Sequence, residues 1–450
     1  MGRRRSLLAT ARHWLTPGIG VKRWLLVLVI GANLTGLGVI YVLLAFYRQD
    51  MVPEPLYRLL VLTFLPIPLR ITLPLIVGLA LLSLGIARLS RNLLEPFRRP
   101  GDSVGASRYR HVRRGRGPAI VAIGGGTGMP SLLRGIKEFT SNITAVVTVA
   151  DDGGSSGRLR QVLGLLPPGD FRNNIAALAE DEALMTHVLQ YRFGGGRDGN
   201  GQGELRGHAF GNLLLAALAG VTGSFDEGLM AAERVLALQG RVLPSTLDQV
   251  FLVAEVVRQA ADGSSEAQRV EGESAIPKAG GRIEQIYLEP STAQAYPPAV
   301  QAILQADVVV MGPGSLYTSI VPNLLVSGIA QAIRHTRALR VYVCNIAIQP
   351  GETDGYSLSD HVSVIDQILG GNYLDVVVAN DRLDLSQLSE EERQRTVLVE
   401  PLWTFSRRDT RLVTADLADE ARPWRHNSQK LAGILKKLAG SDGAGQITRL

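Results

Sequence analysis

Apolar positions change their pattern near residue 118 of this 450-residue chain. Before that point they form long uninterrupted runs, and after it they form short runs separated by glycine-rich turns and by stretches with helical spacing. Residues 24–47 contain 24 positions without a charge, enough to cross roughly 30 Å of hydrocarbon as a helix. Trp24, Tyr41 and Tyr47 stand near the ends of this run, where aromatic rings favour the interface. A second run, 71–87, has 17 uncharged residues and sits at the lower limit for a span. Pro66, Pro68 and Arg70 make the stretch before it an interfacial or re-entrant lead-in. The pattern predicts two transmembrane helices, because the first run is too long for a signal peptide and no small-residue cleavage site is evident.

Charge sharpens this picture. The net charge of +6 would suit nucleic acid if it were spread over one folded face, but fifteen cations flank the two apolar runs. Arg3, Arg4, Arg5, Arg12, Lys22 and Arg23 precede the first run, and nine arginines between Arg88 and Arg116 follow the second. This is a membrane-topology signal that places both termini and the later domain on the cytoplasmic side of the inner membrane, and it argues against a nucleic-acid partner. The expected organisation is a basic terminus (1–23), a membrane region (24–87), a basic linker (88–117), a soluble domain (118–438) and a tail (439–450). The single cysteine, Cys344, excludes an internal disulfide and makes a cysteine-based metal site untenable.

Within the soluble part, "AIVAIGGGTGMPSLLRGIKEF" reads as a buried strand over 119–123, a glycine turn and a helix carrying Leu132, Leu133 and Ile136. Strand, glycine loop (Gly124, Gly125, Gly126, Thr127, Gly128) and helix start offer backbone N–H groups to an anion. Met129 breaks the dinucleotide fingerprint, which disfavours a nicotinamide enzyme, and no Gly-Lys-Ser/Thr follows to make a P-loop. A turn that uses glycine only for geometry is the plainer alternative. A second strand, 143–149, leads to Asp151 and Asp152, 27 and 28 residues after Gly124, where nucleotide-binding units place a ribose-reading acid. The following Gly153, Gly154, Ser155, Ser156, Gly157 and Arg158 combine bare backbone, hydroxyls and a guanidinium, which together exceed what a turn needs. The same holds for "GPGSLYTSI", where Gly312, Pro313, Gly314 and Ser315 join a hydrophobic strand to a helix start. His208, before the apolar helix of "GHAFGNLLLAAL", reads as a helix cap or a ligand contact. Backbone amides of 153–157 and Arg158 suit phosphate, the serines suit hydrogen-bond donation, and the aspartates suit hydroxyls or Mg²⁺.

Six ordered motifs, "AIGGGTG", "TVADDGGSSGRLR", "PPGDFRNNIAALA", "GHAFGNLLLAAL", "GPGSLYTSIVPNLL" and "NIAIQPGETDGYSLSDHV", closely resemble the YvcK family of gluconeogenesis factors within the CofD (2-phospho-L-lactate transferase) superfamily. The resemblance runs over about residues 118–438. It implies an α/β, Rossmann-like domain with a mostly parallel sheet, binding nucleotide diphosphates at the carboxyl ends of its strands. For the YvcK branch it implies UDP-sugars, notably UDP-N-acetylglucosamine, and a regulatory role linking carbon metabolism to cell-wall synthesis and cell shape. It further implies a pocket built from Gly124 to Gly128, Asp151, Asp152, the 153–158 run, His208, Asn212 and Gly312 to Ser315, with Asp151 and Asp152 as candidate Mg²⁺ ligands. The superfamily's transferases read "NTGDD" and "PDLD" where this chain has "VADDGG" and "PPGDFR", which argues against a deazaflavin substrate. An Mg²⁺-dependent phosphotransferase is the rival reading, and homo-oligomers and cell-envelope proteins are the expected protein partners.

Overall fold

The computed structural model describes isolated positions between residues 31 and 80, and then residues 117–194, 204–259, 265–382, 384, 389–403 and 410–440. The chain divides into two units, 1–113 and 114–450. The two expected membrane spans, their basic flanks and the tail beyond 440 fall largely outside the described residues. Among the described residues no single helix is long and apolar enough to cross a membrane.

The second unit is built on a seven-stranded sheet in the order β10-β9-β8-β7-β1-β2-β3, with every neighbouring pair parallel. The strands are β1 (Ile120–Gly124), β2 (Ile143–Val147), β3 (Arg241–Pro244), β7 (Val308–Met311), β8 (Leu339–Val343), β9 (Val376–Asn380) and β10 (Arg411–Ala415). Runs such as "VVVM" and "VVVAN" are buried along their whole length, as strands covered on both faces must be. Helices of eight residues or more connect or cover them: α1 (Met129–Ile136), α2 (Gly154–Leu163), α3 (Gly169–Leu178), α4 (Glu182–Gln190), α5 (Phe210–Thr222), α6 (Phe225–Val235), α7 (Pro297–Gln305), α8 (Ser327–His335), α9 (Leu358–Leu369) and α10 (Ser428–Gly440). The α/β class and the mostly parallel sheet expected from the sequence are thus present. Strand bounds differ by one or two residues: β1 runs to Gly124, and β2 stops at Val147, with the Thr148 N–H closing the last rung of the ladder on the Gly124 carbonyl at 3.1 Å.

An antiparallel three-stranded sheet in the order β5-β4-β6 is inserted between β3 and β7 and was not anticipated. Its strands are β4 (Phe251–Gln259), β5 (Ser265–Glu271) and β6 (Arg282–Glu289). Of these β5 is exposed at every position but Val270, so its sequence carries little apolar periodicity to read.

Two close approaches fix how the layers meet. Gly135 of α1 lies under α10, where a Cβ would stand 2.1 Å from the Ser428 carbonyl oxygen. Gly128, at the start of α1, lies under the loop after β7, where a Cβ would stand 2.4 Å from the Pro313 carbonyl oxygen. Gly128→Ala therefore forces backbone apart and is expected to lower stability by about 1–3 kcal/mol. Gly433→Ala, in α10 with nothing within 4 Å of the new methyl, is expected to stabilise by up to about 1 kcal/mol through helix propensity. Denaturant unfolding of both variants checks the contrast.

His426, bridged to Ala418 just before α10, is buried, and burial pushes its imidazole down to about 4 against a hydrogen bond with the Cys344 backbone. The unfolded chain therefore takes up a proton on this histidine below about pH 6.5 while the native state does so only near pH 4, so stability is lost as pH falls through that window. Relative to His426→Leu, the natural chain is expected to lose about 3 kcal/mol between pH 7 and pH 4, measured as the difference in unfolding free energy.

Candidate functional site

Because β1 lies between β2 and β7, the chain leaves its carboxyl end toward one side and the carboxyl end of β7 toward the other, which is the switch point where open α/β sheets take ligands. The glycine loop after β1 is held there by two asparagines. Asn174 Nδ2 donates to the Gly125 carbonyl at 3.1 Å, and Asn323 Nδ2 donates to the Gly124 carbonyl at 3.1 Å. Both side chains are fully buried, and neither Oδ1 has a hydrogen-bond partner. Gly126 faces Asp170, whose carboxylate accepts its N–H, and a Cβ at Gly126 would stand 2.2 Å from Asp170 Oδ1. The first glycine loop is thus already engaged by one of the chain's own carboxyl groups.

The loop after β7 is equally committed. Gly312 takes a left-handed φ of 81°, the Gly314 N–H donates to Asn345 Oδ1 at 3.0 Å, and the Ser315 hydroxyl donates to Glu352. Ser315 then begins a π-helical turn, Leu316–Ile320, where Thr318 Oγ1 also reaches Glu352 at 3.3 Å.

The N-terminus of α2 differs from both loops. Its N-cap, Gly153, gives no side-chain cap, and its first turn holds no acid, so the dipole and the leading N–H groups meet no internal counter-charge from the side chains of that turn. Gly157 is required because a Cβ there would stand 2.0 Å from the Asp152 carbonyl oxygen. Ser155 and Ser156 are buried beneath Asn212, whose Nδ2 donates to Ser155 Oγ at 3.1 Å. Ser155 Oγ also lies 3.1 Å from His208 Nδ1, a hydrogen bond that ties the ring to the start of α2. Burial, and then Arg158, hold His208 below its ordinary range, which favours the neutral form.

Cations gather on this side. Arg158 Nη2 donates to the Arg206 carbonyl at 3.1 Å, and Arg192 Nη1 donates to the neighbouring Gly207 carbonyl at 2.9 Å. Arg172 Nη1 donates to Asn212 Oδ1 at 3.0 Å, and burial and then the charge on Arg192 hold its guanidinium down. Among the described residues, ion pairs form at Arg134, Lys137, Arg269, Arg340, Arg382 and Lys430, and not at Arg158, Arg172 or Arg192.

Carboxyl groups gather beside them, with Asp151 and Asp170 close enough to Arg172 to interact with it. Asp151 accepts the Gly153 N–H at 2.9 Å and a bond from Ser156, yet burial raises it above the usual range. Asp170 is pushed up to about 7, by burial and then by Asp151. Glu273, from the inserted sheet, is pushed up to about 9 by burial and then by Asp151, Asp170, Asp152 and Glu352. Burial also raises Glu352. Asp170, Glu273 and Glu352 are walled in by protein but keep part of their surface open. Among the described residues no three His, Cys, Asp or Glu side chains converge in a way that could hold a metal alone. Mg²⁺ is usually held by one or two carboxylates plus ligand phosphates, so the donor set fits an ion that arrives with its ligand, with Asp151 and Asp170 as the carboxylates to hold it.

The residues singled out from sequence are brought to the carboxyl ends of β1, β2 and β7, with distinct surroundings. Gly128 serves loop packing, Gly126 serves Asp170, Arg158 is exposed on the 206–207 peptide, and His208 bonds Ser155 instead of capping α5, whose N-cap is Ala209. Asp170, Arg172, Asn174, Glu273, Asn323 and Glu352 were not singled out. "PPGDFRNN" held three of them in plain view, and Glu352 lies in "IQPGETDG", whereas nothing around Glu273 distinguishes it from a surface acid.

Residues 120–418 match the family model for 2-phospho-L-lactate transferase CofD. A relative in Nostoc sp. is 45% identical over 439 residues, 95% of this chain and 92% of its own length. The gluconeogenesis factor of Bacillus subtilis is 44% identical over 266 residues, 59% of this chain and 80% of its own. A solved UPF0052-family structure from Bacillus halodurans is similar with a TM-score of 0.63 and 39% identity, covering 71% of this chain and 98% of that one.

Proposed function

This chain belongs to the CofD family, in its gluconeogenesis-factor group, and from that premise we propose that the carboxyl-end site binds a nucleotide sugar of the UDP-N-acetylglucosamine type as a regulatory ligand. One observation carries the reading: an uncapped helix N-terminus flanked by arginines directly adjoins a floor of carboxyl groups. The diphosphate belongs on the first part, against α2, Arg158, Arg172, Arg192 and the His208 ring. Carboxylates repel phosphate but accept sugar and ribose hydroxyls, so the sugar belongs on the second. In this reading the protein reports nucleotide-sugar supply, and so links carbon metabolism to cell-wall synthesis and cell shape.

The carboxyl cluster also supports a second reading, an Mg²⁺-dependent phosphotransferase. When bound, the ion would neutralise phosphate charge during transfer, while Asp151 and Asp170 would hold it and the arginines would orient the phosphates.

Calorimetry of the full chain in detergent with UDP-N-acetylglucosamine, UDP, GDP and NAD tests both readings. The expected result is binding of the UDP-sugar that survives EDTA, and a loss of about 1.5–3 kcal/mol for both UDP ligands in Arg192→Gln. Tighter binding of GDP or NAD overturns the reading, and Mg²⁺-dependent consumption of the nucleotide favours the transferase.

We also propose that 24–87 tethers this domain to the inner membrane with both termini cytoplasmic, from the cations that flank its apolar runs. A C-terminal reporter should be active only in the cytoplasm. Activity only outside overturns the topology.

A further inference from the structure

Three segments meet beyond the carboxyl end of β8 and enclose a cavity of about 320 Å³. The loop that leaves β8 gives Ala347 and Ile348. The short helix Glu390–Arg395 and the residue after it give Glu392 and Thr396. These two segments are laced together by the Ile348 N–H on the Val397 carbonyl and the Val399 N–H on the Ile346 carbonyl, both at 2.8 Å. The third segment precedes α10 and gives Trp424. It hangs on the end of β8, because the buried His426 bonds the Cys344 backbone.

The loop that lines this cavity also walls the candidate site. Asn345 Oδ1 takes the Gly314 N–H at 3.0 Å, Asn345 Nδ2 reaches Gln349 Oε1 at 3.3 Å, and Glu352 takes the Ser315 and Thr318 hydroxyls. Ala347 and Ile348 stand between these anchors in sequence, so the cavity lies one strand further along the sheet than the loop after β7. Three strand spacings of about 4.8 Å separate the end of β8 from the end of β2, where α2 begins, a span that a diphosphate and a pyranose cover together.

The lining is an indole, two aliphatic side chains, one hydroxyl and one carboxylate. Ser389, through its hydroxyl and then its N–H, holds the Glu392 carboxyl below the usual range, so this group is ionised and only accepts. An occupant must therefore be apolar on one side and donate hydrogen bonds on the other. Phosphate is repelled by the carboxylate, and a uracil edge would turn two carbonyl oxygens toward it beside a single N–H. A pyranose with an acetamido group meets both demands: its C–H and methyl groups lie against the indole, and its N–H and O–H groups turn to Glu392 and Thr396. The volume, at the low end for small-molecule sites, has room for a sugar and not for a whole nucleotide.

We propose that this cavity seats the acetamido side of the bound sugar, with Trp424 as the specificity-determining contact that separates an N-acetylated sugar from a plain hexose. The inference rests on the nucleotide-sugar reading given above. Hydroxyls on the other side of the ring stay with the carboxyl groups.

Calorimetry on the full chain in detergent compares UDP-N-acetylglucosamine, UDP-glucose and UDP. The natural chain should hold the acetamido sugar nucleotide about tenfold tighter than UDP-glucose, and Trp424→Ala should remove that preference while UDP stays within about twofold. Ala347→Leu, which narrows the cavity from the β8 loop, should act in the same direction. Fluorescence reads the contact itself: the difference in emission between the natural chain and Trp424→Phe should change on adding UDP-N-acetylglucosamine and not on adding UDP. A preference that survives in both Trp424→Ala and Ala347→Leu, or a difference emission that does not respond to the acetamido sugar nucleotide, overturns the inference. So does UDP weakened as much as the UDP-sugar in variants that keep the natural unfolding temperature, which would make the cavity a base site. Natural chain that binds both sugar nucleotides equally overturns the inference and leaves the nucleotide-sugar reading standing, whereas natural chain that binds none of the three overturns that reading itself.

Discussion

The constraint on which the rest of the site depends is the contact between two backbones, the Cα of Gly128 pressed beneath the Pro313 carbonyl. It exists because β1 has β2 on one side and β7 on the other, so the loops that leave β1 and β7 start side by side. Side chains would hold these loops apart, and glycine lets them meet. Once they meet, Asn174 and Asn323 can each reach a carbonyl of the first loop, one from α3 and one from the Val321–Leu324 turn. Both asparagines leave a buried Oδ1 unpartnered, an outlay of polar desolvation that is offset by fixing two consecutive peptide planes.

That fixed loop spends its own anion-binding capacity on Asp170, and this sorts charge across the site. With the first glycine loop turned toward a carboxylate, and the Ser315 and Thr318 hydroxyls turned toward Glu352, the neighbourhood of β1 and β7 is acidic. The cations stand on α2, α3 and the segment around 192–208: Arg172 is close enough to Asp151 and Asp170 to interact with both, whereas Arg158 and Arg192 rest on backbone carbonyls and face no carboxylate partner among the described residues. Like charges crowded at low dielectric are unfavourable, among the carboxyl groups and among the arginines alike. A ligand with phosphates at one end and hydroxyls at the other relieves both at once, and neither a bare phosphate nor a neutral sugar does. The resemblance to enzymes and to regulators of one family is compatible with this geometry, since holding a nucleotide sugar and transferring its phosphate begin with the same sorting of charge.

How much of this could be read from the sequence depended on whether a feature is local. The strands β1, β2 and β7 announce themselves as short apolar runs rich in β-branched residues, and "GGGTG", "DDGGSSGR" and "GPGS" mark the corners that follow them. What those glycines do was not local. Gly126 and Gly128 answer to Asp170 and Pro313, which lie 44 and 185 residues further along the chain, and spacing alone does not show such neighbours. Arg158 stood next to the serines in sequence, but helical geometry turns its side chain outward onto the 206–207 peptide, while Arg172 and Arg192 arrive from other elements. The insertion was the largest omission, because β5 is polar throughout its exposed length and the acid it delivers looks like any surface glutamate.

The insertion also changes what the paired aspartates mean. Read as a dipeptide, Asp151 and Asp152 invite one shared function, as metal ligands or hydroxyl acceptors. Beyond the end of β2, however, the two side chains diverge. Asp151 turns to Gly153, Ser156 and the Asp170 side of the site, and Asp152 turns to Gly272 and Ser274 of the inserted sheet. Adjacent acids therefore divide between two layers, Asp151 facing the Asp170 side and Asp152 joining the inserted sheet. A parallel sheet alone supplies phosphate-binding corners to any nucleotide. What the parallel sheet does not itself supply here is the corner that Asp152 holds, which joins the inserted sheet to the end of β2.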